Sequence, residues 1–288
     1  MNKRLAVIGV GLIGGSVALA ARRSGLYDCI VGYDPDKENL NQAHALGIID
    51  EACSTLATAA HAQLVVIATP VGVVRQVLSA LRANWQTGCV YTDVGSTKQS
   101  VLADAEQVFG AVPDNFVAGH PIAGTEQSGA SAAFAELFDG KQIILTPLQN
   151  TRLSAINAVR EFWEQAAHAT VNEMSAEHHD QILAATSHLP HVAAYALVNL
   201  LARQSANEQI FQYAASGFRD FTRIASSDSR MWTDICLANR QQLVLLLKNY
   251  QSELNRLTQL LENENSEQLH KYFASAQATR QQLLSESS

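Results

Sequence analysis

The chain has 288 residues, 47% hydrophobic and 16% charged, which suffices for one large domain or two ordinary ones and excludes disorder as the main theme. Its 20 basic side chains face 27 acidic ones, 11 against 15 up to residue 172 and 9 against 12 beyond it, so no basic face is left to grip a phosphate backbone and nucleic acid is not expected as a partner. Cys29, Cys53, Cys89 and Cys236 show neither CxxC spacing nor clustering, which argues against a disulfide or metal framework and for buried apolar thiols in a reducing compartment.

The opening Met1-Asn2-Lys3-Arg4 leads into an apolar run too short for a signal sequence, and no apolar stretch reaches 18 residues, so a soluble, cytoplasmic protein without a membrane partner is expected. Up to about residue 172, short apolar runs alternate with amphipathic segments, the pattern of βα units in an α/β fold with a doubly wound parallel sheet. Strands are predicted at 5–8, 29–33, 64–68, 90–93, 116–119, 143–146 and 170–172, with helices such as 16–24, 71–81 and 153–167 between them. From 173 to 288 strand signals vanish, and Ala, Leu, Gln and Glu recur at helical spacing from Ser175, a candidate N-cap. The reading is therefore two domains, 1–172 and an all-α 173–288. Within the second, Leu243, Leu247, Tyr250, Leu254, Leu257 and Leu261 form a seam with alternating steps of four and three, which fits either a bundle core or a subunit interface. A last helix is predicted over 266–284.

The run Gly9-Val10-Gly11-Leu12-Ile13-Gly14 follows a predicted strand and opens a predicted helix, the setting in which GxGxxG reads as a dinucleotide-binding, Rossmann-type loop. Gly9 makes the turn, Gly11 lets backbone approach a pyrophosphate, and Gly14 lets helix and strand pack closely, with the diphosphate on the helix N-terminus beside Leu12 and Ile13. Asp34 ends the second strand 20 residues beyond Gly14, where a carboxylate accepts hydrogen bonds from ribose hydroxyls and repels a 2′-phosphate, so the cofactor expected is NAD rather than NADP. Thr69 and Pro70 end the third strand and Asp93 to Lys98 the fourth, so these loops line the same crevice.

His120 ends a further predicted strand, ahead of the polar loop 121–129. A histidine there either takes the proton of a substrate hydroxyl while NAD takes the hydride, or is a satisfied structural residue. In the helical half, His178-His179-Asp180 and Ser187-His188-Leu189-Pro190-His191 share one predicted helix. Their spacing lacks an i, i+4 pair with a carboxylate partner, so no metal is expected. Arg219 and Arg223 suit carboxylate recognition.

Gly9 to Ser16, Gly95-Ser96-Thr97-Lys98, Gly119 to Gly129, Ser187 to His191, and Gly217 to Ala225 with Met231-Trp232 occur in the order of the prephenate dehydrogenase (cyclohexadienyl or arogenate dehydrogenase) family, which the chain resembles over nearly its whole length. The resemblance implies oxidative decarboxylation of prephenate to 4-hydroxyphenylpyruvate, or of arogenate to tyrosine, and a homodimer built through the helical domain. It makes His120 the catalytic histidine on the ring 4-hydroxyl and Ser96 the neighbour that orients it. Arg223 matches the arginine on the ring carboxylate, and His191, Arg219, Trp232 and Glu126 match substrate-pocket positions. His179 and Asp180 match positions that support the pocket. Neither the C-terminal ACT domain nor the fused chorismate mutase of longer relatives is expected in this chain, which leaves open whether the family's tyrosine feedback extends to it. A β-hydroxyacid dehydrogenase would place a catalytic lysine in its first long helix of the second half, whereas no lysine lies between Lys141 and Lys248. A noncatalytic NAD-sensing dimer is the other alternative.

Overall fold

The computed structural model describes residues 3–125, 127–205 and 207–286. Contacts divide the chain into two units, residues 1–240 and 241–288. In the first, β1 (Arg4–Ile8), β2 (Cys29–Tyr33), β3 (Glu51–Ala52), β4 (Leu64–Ile67), β5 (Val90–Asp93) and β6 (Phe116–Val117) form one parallel sheet in the order β3-β2-β1-β4-β5-β6. That is the doubly wound order, with its switch point between β1 and β4. Strand β3 escapes the sequence pattern because two residues cannot display a period.

Strand β1 shows why the apolar runs are continuous. Leu5 and Val7 enter one apolar cluster and Ala6 and Ile8 the other, so both faces of the strand are buried and no polar alternation remains. Helices α1 (Leu12–Ser24), α2 (Lys37–Ala45), α3 (Leu56–Ala59), α4 (Val74–Leu81), α5 (Gln99–Phe109) and α6 (Leu153–Glu161) accompany the sheet. Register then places the site: Ile8 pairs with both Tyr33 and Ile67, and Ile67 with Asp93. Four strands thus finish level, and the loops after them open at one edge.

The predicted strand 116–119 breaks at Ala118. Beyond it β7 (Gly119–Pro121), β8 (Gln142–Leu145) and β9 (Thr170–Glu173) form a separate sheet, with β7 antiparallel to β8. This corrects the expectation of a single sheet. At the break, side chains replace a ladder partner: the Gly119 amide donates to Asp93 Oδ1 (3.1 Å) and its carbonyl accepts from Lys98 Nζ (2.5 Å).

The helical segment of this unit starts as expected, with Ser175 Oγ accepting from the His178 amide (3.2 Å). Helix α7 (Ala176–Leu183) runs through a π-helical turn at Ala184–His188 into α8 (Leu189–Ala202). The proline explains the wide turn: Pro190 donates no hydrogen bond, and its ring crowds the carbonyl four residues back, at Thr186 inside the turn. Helices α9 (Asn207–Gln212), α10 (Ser216–Thr222) and α11 (Ser229–Ala238) follow. The four cysteines are free; Cys53 and Cys89 are buried, Cys29 and Cys236 only half-buried.

The second unit comprises most of α12 (Arg240–Glu262) and α13 (Ser266–Glu286), which meet where Tyr272 donates to Glu253 (3.3 Å). Along the leucine seam Tyr250, Leu254 and Leu261 are 39%, 45% and 57% exposed, so within one chain this stripe is not a closed core. No helix among the described residues is long and apolar enough to cross a membrane.

Candidate active site

The glycine loop between β1 and α1 is built as its spacing requires. Gly9 has φ +91°, and a Cβ on Gly14 would lie 1.9 Å from the Gly9 carbonyl oxygen, whereas one on Gly11 would meet nothing within 4 Å. Close packing therefore fixes Gly14, and open space lies in front of Gly11. Gly11 is also the N-cap of α1 and offers no side chain to the first-turn amides near Leu12 and Ile13, which leaves those donors for an anion. A Gly14→Ala variant is expected to lose about 1–3 kcal/mol, the usual cost of forcing a methyl into filled space, and to bind NAD more weakly. Thermal unfolding and a cofactor titration check this; unchanged values in both would refute the packing argument.

Asp34 has a structural role that its position in the sequence did not disclose. Its Oδ2 accepts from the Val10 amide (2.9 Å) and Asn39 Nδ2 (3.1 Å), and its Oδ1 accepts from the Asp36 amide (2.9 Å). Asn39 Nδ2 also donates to the Val10 carbonyl (2.9 Å), and its Oδ1 accepts from the Ala130 amide (2.9 Å). The Asp34 carboxylate is therefore a strut of the glycine loop. Past β4, Pro70 is exposed and Thr69 Oγ1 is buried without a hydrogen-bond partner among the described residues. An orphan hydroxyl, uncapped helix amides and open space at Gly11, all at the level edge of the sheet, fit a bound dinucleotide.

On the other side of the crevice the half-buried His120 sits in β7. Its Nδ1 lies 2.9 Å from His179 Nε2, and His179 Nδ1 lies 2.7 Å from Asp180 Oδ1. The Asp180 carboxylate also accepts from the amides of Lys98 (2.8 Å) and Gln99 (3.0 Å), supplying the cap that α5 lacks of its own. Lys98 is wholly buried, its ammonium held by Asp93 and the Gly119 carbonyl. Burial foremost, then the neighbouring His179, Lys98 and His188, push the His120 imidazole well below the ordinary histidine value. Burial brings His188 down to about 4, and it lowers His179 against the opposing hydrogen bond to Asp180. Ser96, in the β5–α5 connection two residues before Lys98, is half-buried, and among the described residues no hydrogen bond joins it to His120.

The chain of contacts continues into the helical segment. Asn239 Nδ2 donates to the Asp180 carbonyl (2.8 Å) and lies 3.2 Å from His188 Nδ1. Trp232 is buried, stacks on His191 with ring centroids 3.7 Å apart, and has no partner for its indole N–H among the described residues. His191 Nδ1 donates to the Ser187 carbonyl (2.9 Å), so its Nε2 keeps a lone pair. Arg219 on α10 and Arg223, which opens a 3-10 turn (Arg223–Ser226), are exposed, and that turn packs against α8, the helix of His191. Glu126 lies outside the described residues. The sequence reading missed Asn39, Asn239 and the Lys98–Asp93 pair as structural members of the site. Only the last left a trace, two opposite charges five residues apart in an otherwise uncharged stretch.

A diphosphate cradle facing a neutral imidazole is equipment for moving a hydride and a proton together, and the class so defined is that of the NAD-dependent oxidoreductases. Residues 17–172 match the prephenate dehydrogenase nucleotide-binding domain and residues 175–275 the prephenate dehydrogenase dimerization domain. The chain is 35% identical to the cyclohexadienyl dehydrogenase of Zymomonas mobilis, over 96% of this chain and 95% of that one. It is 37% identical to the prephenate dehydrogenase of Bacillus subtilis, over 98% of this chain and 76% of that one. The crystal structure of A. aeolicus prephenate dehydrogenase in complex with hydroxyphenyl propionate and NAD+ superposes with a TM-score of 0.91 at 36% identity, covering 98% of this chain and 99% of that one. The chain belongs to the prephenate dehydrogenase family.

Proposed function

We propose that the protein oxidatively decarboxylates prephenate to 4-hydroxyphenylpyruvate and CO2 with NAD, a step of tyrosine biosynthesis, and turns over some arogenate. The names of the Bacillus and Zymomonas relatives support the substrate, and the observation that carries the mechanism is the His120 imidazole at the crevice, its Nδ1 2.9 Å from His179 Nε2, with burial lowering its affinity for a proton. His120 accepts the proton of the ring 4-hydroxyl. NAD, when bound, supplies the acceptor for the hydride leaving the same carbon. As hydride and proton depart, the bond to the ring carboxylate breaks, its electron pair enters the ring, and CO2 leaves. The ring becomes aromatic, and its phenolic oxygen takes the proton back from His120, so no net proton is consumed. The drive toward aromaticity is in the substrate, and the protein has to position it and hold one proton.

In this reading Arg223 grips the ring carboxylate, and Arg219, His191, Trp232 and Glu126 line the pocket. Ser96 neighbours the catalytic histidine and the nicotinamide. Gly9, Gly11, Leu12, Ile13, Gly14, Asp34, Thr69 and Pro70 hold the cofactor. The functional division falls at 172/173, between a cofactor domain and a helical domain for substrate and dimerisation, which the boundaries of the two matched family domains support. The exposure of Tyr250, Leu254 and Leu261 along the seam of α12 supports their burial against a second copy. Four free thiols support a cytoplasmic location.

The direct test is NADH absorbance after adding prephenate and NAD; a flat trace would leave the noncatalytic alternative. Steady-state rates with prephenate and arogenate side by side rank the two substrates. NAD is expected to exceed NADP in kcat/KM, because a 2′-phosphate would meet the Asp34 carboxylate; an equal or higher value with NADP would remove Asp34 from the ribose site.

A further inference from the structure

We propose that His179 and Asp180 are positioning residues that hold the His120 imidazole in the single tautomer with hydrogen on Nδ1 and a lone pair on Nε2. The inference rests on His120 being the proton acceptor. It follows from counting donors. The Asp180 side chain receives three N–H groups, the amides of Lys98 and Gln99 and the ring of His179, and a carboxylate so surrounded stays ionised and can only accept. His179 must therefore carry its hydrogen on Nδ1. Being neutral, it then presents a lone pair on Nε2, and the 2.9 Å contact to His120 Nδ1 becomes a hydrogen bond only if His120 donates. That leaves His120 Nε2 as the acceptor, the atom the reaction needs.

Both ends of the relay are anchored. Asp180 is fixed by the start of α5 and by Asn239 on its carbonyl, and His120 by the Lys98–Asp93 pair, which holds both the amide and the carbonyl of the preceding Gly119. The groups facing His120 are His179 from α7, His188 from the π-helical turn and Lys98 from the β5–α5 connection, with Asp180 on α7 and Asp93 at the end of β5 acting on His179 behind it. When His120 takes up the proton, its Nδ1–H stays on His179, and the Asp180 charge stands one imidazole away.

The test compares His179→Leu, His179→Gln and Asp180→Asn with wild type and His120→Asn, reading kcat, the acid limb of kcat/KM, NAD affinity and the thermal midpoint. In Asp180→Asn one oxygen and an NH2 replace the two oxygens that accept from Lys98, Gln99 and His179, so the charge is lost, one donor is left facing a donor, and His179 is no longer held with its hydrogen on Nδ1. The kcat of this variant should fall about 10²-fold or more, as when a catalytic histidine is forced into the wrong tautomer. His179→Leu should lose about tenfold or more, within the range for a misplaced general base. His179→Gln keeps an oxygen to accept from His120 Nδ1 and should recover at least about threefold over Leu. The acid limb should move in all three while NAD affinity holds. The relay is wrong if Asp180→Asn and His179→Leu keep the wild-type kcat and acid limb while His120→Asn loses both. Equal losses in the Leu and Gln variants, in step with falling thermal midpoint and NAD affinity, would also overturn it, since that is a purely structural role. If instead His120→Asn keeps kcat and limb, the base assignment itself has failed, and the two failures are thereby told apart.

Discussion

Replacing His120 with asparagine is expected to lower kcat at least about 10²-fold, the usual effect of removing a positioned general base. Asparagine retains a hydrogen-bonding side chain but cannot take a full proton. In the wild type kcat/KM should hold at neutral pH and fall as the imidazole becomes protonated, with a midpoint below the unperturbed value of about 6.5, because burial and the neighbouring His179 lower it. Bound substrate carboxylates act against that shift and the nicotinamide charge acts with it. Stability follows the same sign. A group whose folded value is depressed contributes fully above its unfolded value of about 6.5, and that contribution is lost as pH falls below it toward the folded value. The acid end of the profile therefore needs a folding control. In the variant the limb should vanish while NAD affinity remains near wild type. A comparable kcat with the same limb would dismiss His120 as the base and turn attention to His191 or Glu126.

The second large effect is expected at Arg223. Removing its guanidinium in Arg223→Ala should raise KM for prephenate about 10²-fold, the equivalent of losing a charge-assisted hydrogen bond to a bound carboxylate. KM for NAD should barely move. Because the residue is exposed on a short turn, truncation opens no core cavity. Arg223→Lys should restore only part of the loss, since an ammonium cannot reproduce a two-pronged fork on a carboxylate. Equal damage to both KM values would mean a folding defect instead.

The cofactor half of the site was legible in the sequence because its requirements are local. A glycine that must have φ +91° and another whose Cβ would strike a carbonyl 1.9 Å away leave the same trace in any chain, and strand and helix signals on either side give the context. The boundary at Ala118 was hidden because the chain changes sheets through the side chains of Asp93 and Lys98, partners 20 or more residues away. The link from His120 to His179 was hidden for the same reason. Fifty-nine residues separate them, and no periodicity reports a contact between a strand end and a helix face. The π-helical turn has a cause in Pro190, yet a proline in that position is equally compatible with an ordinary helix start.

The double duty of Asp34 bears on anyone who would redesign this enzyme to run on NADP. The obvious route exchanges that carboxylate for a small or basic side chain, yet the same oxygens tether the Val10 amide and share Asn39 with the Ala130 amide in the segment that follows His120. A single exchange would slacken the loop meant to receive the new cofactor and loosen the clasp to the substrate-side segment. Successful conversion would have to be a coupled redesign in which a neutral acceptor is first installed for Val10, and a library confined to position 34 should yield variants that have lost NAD before they have gained NADP.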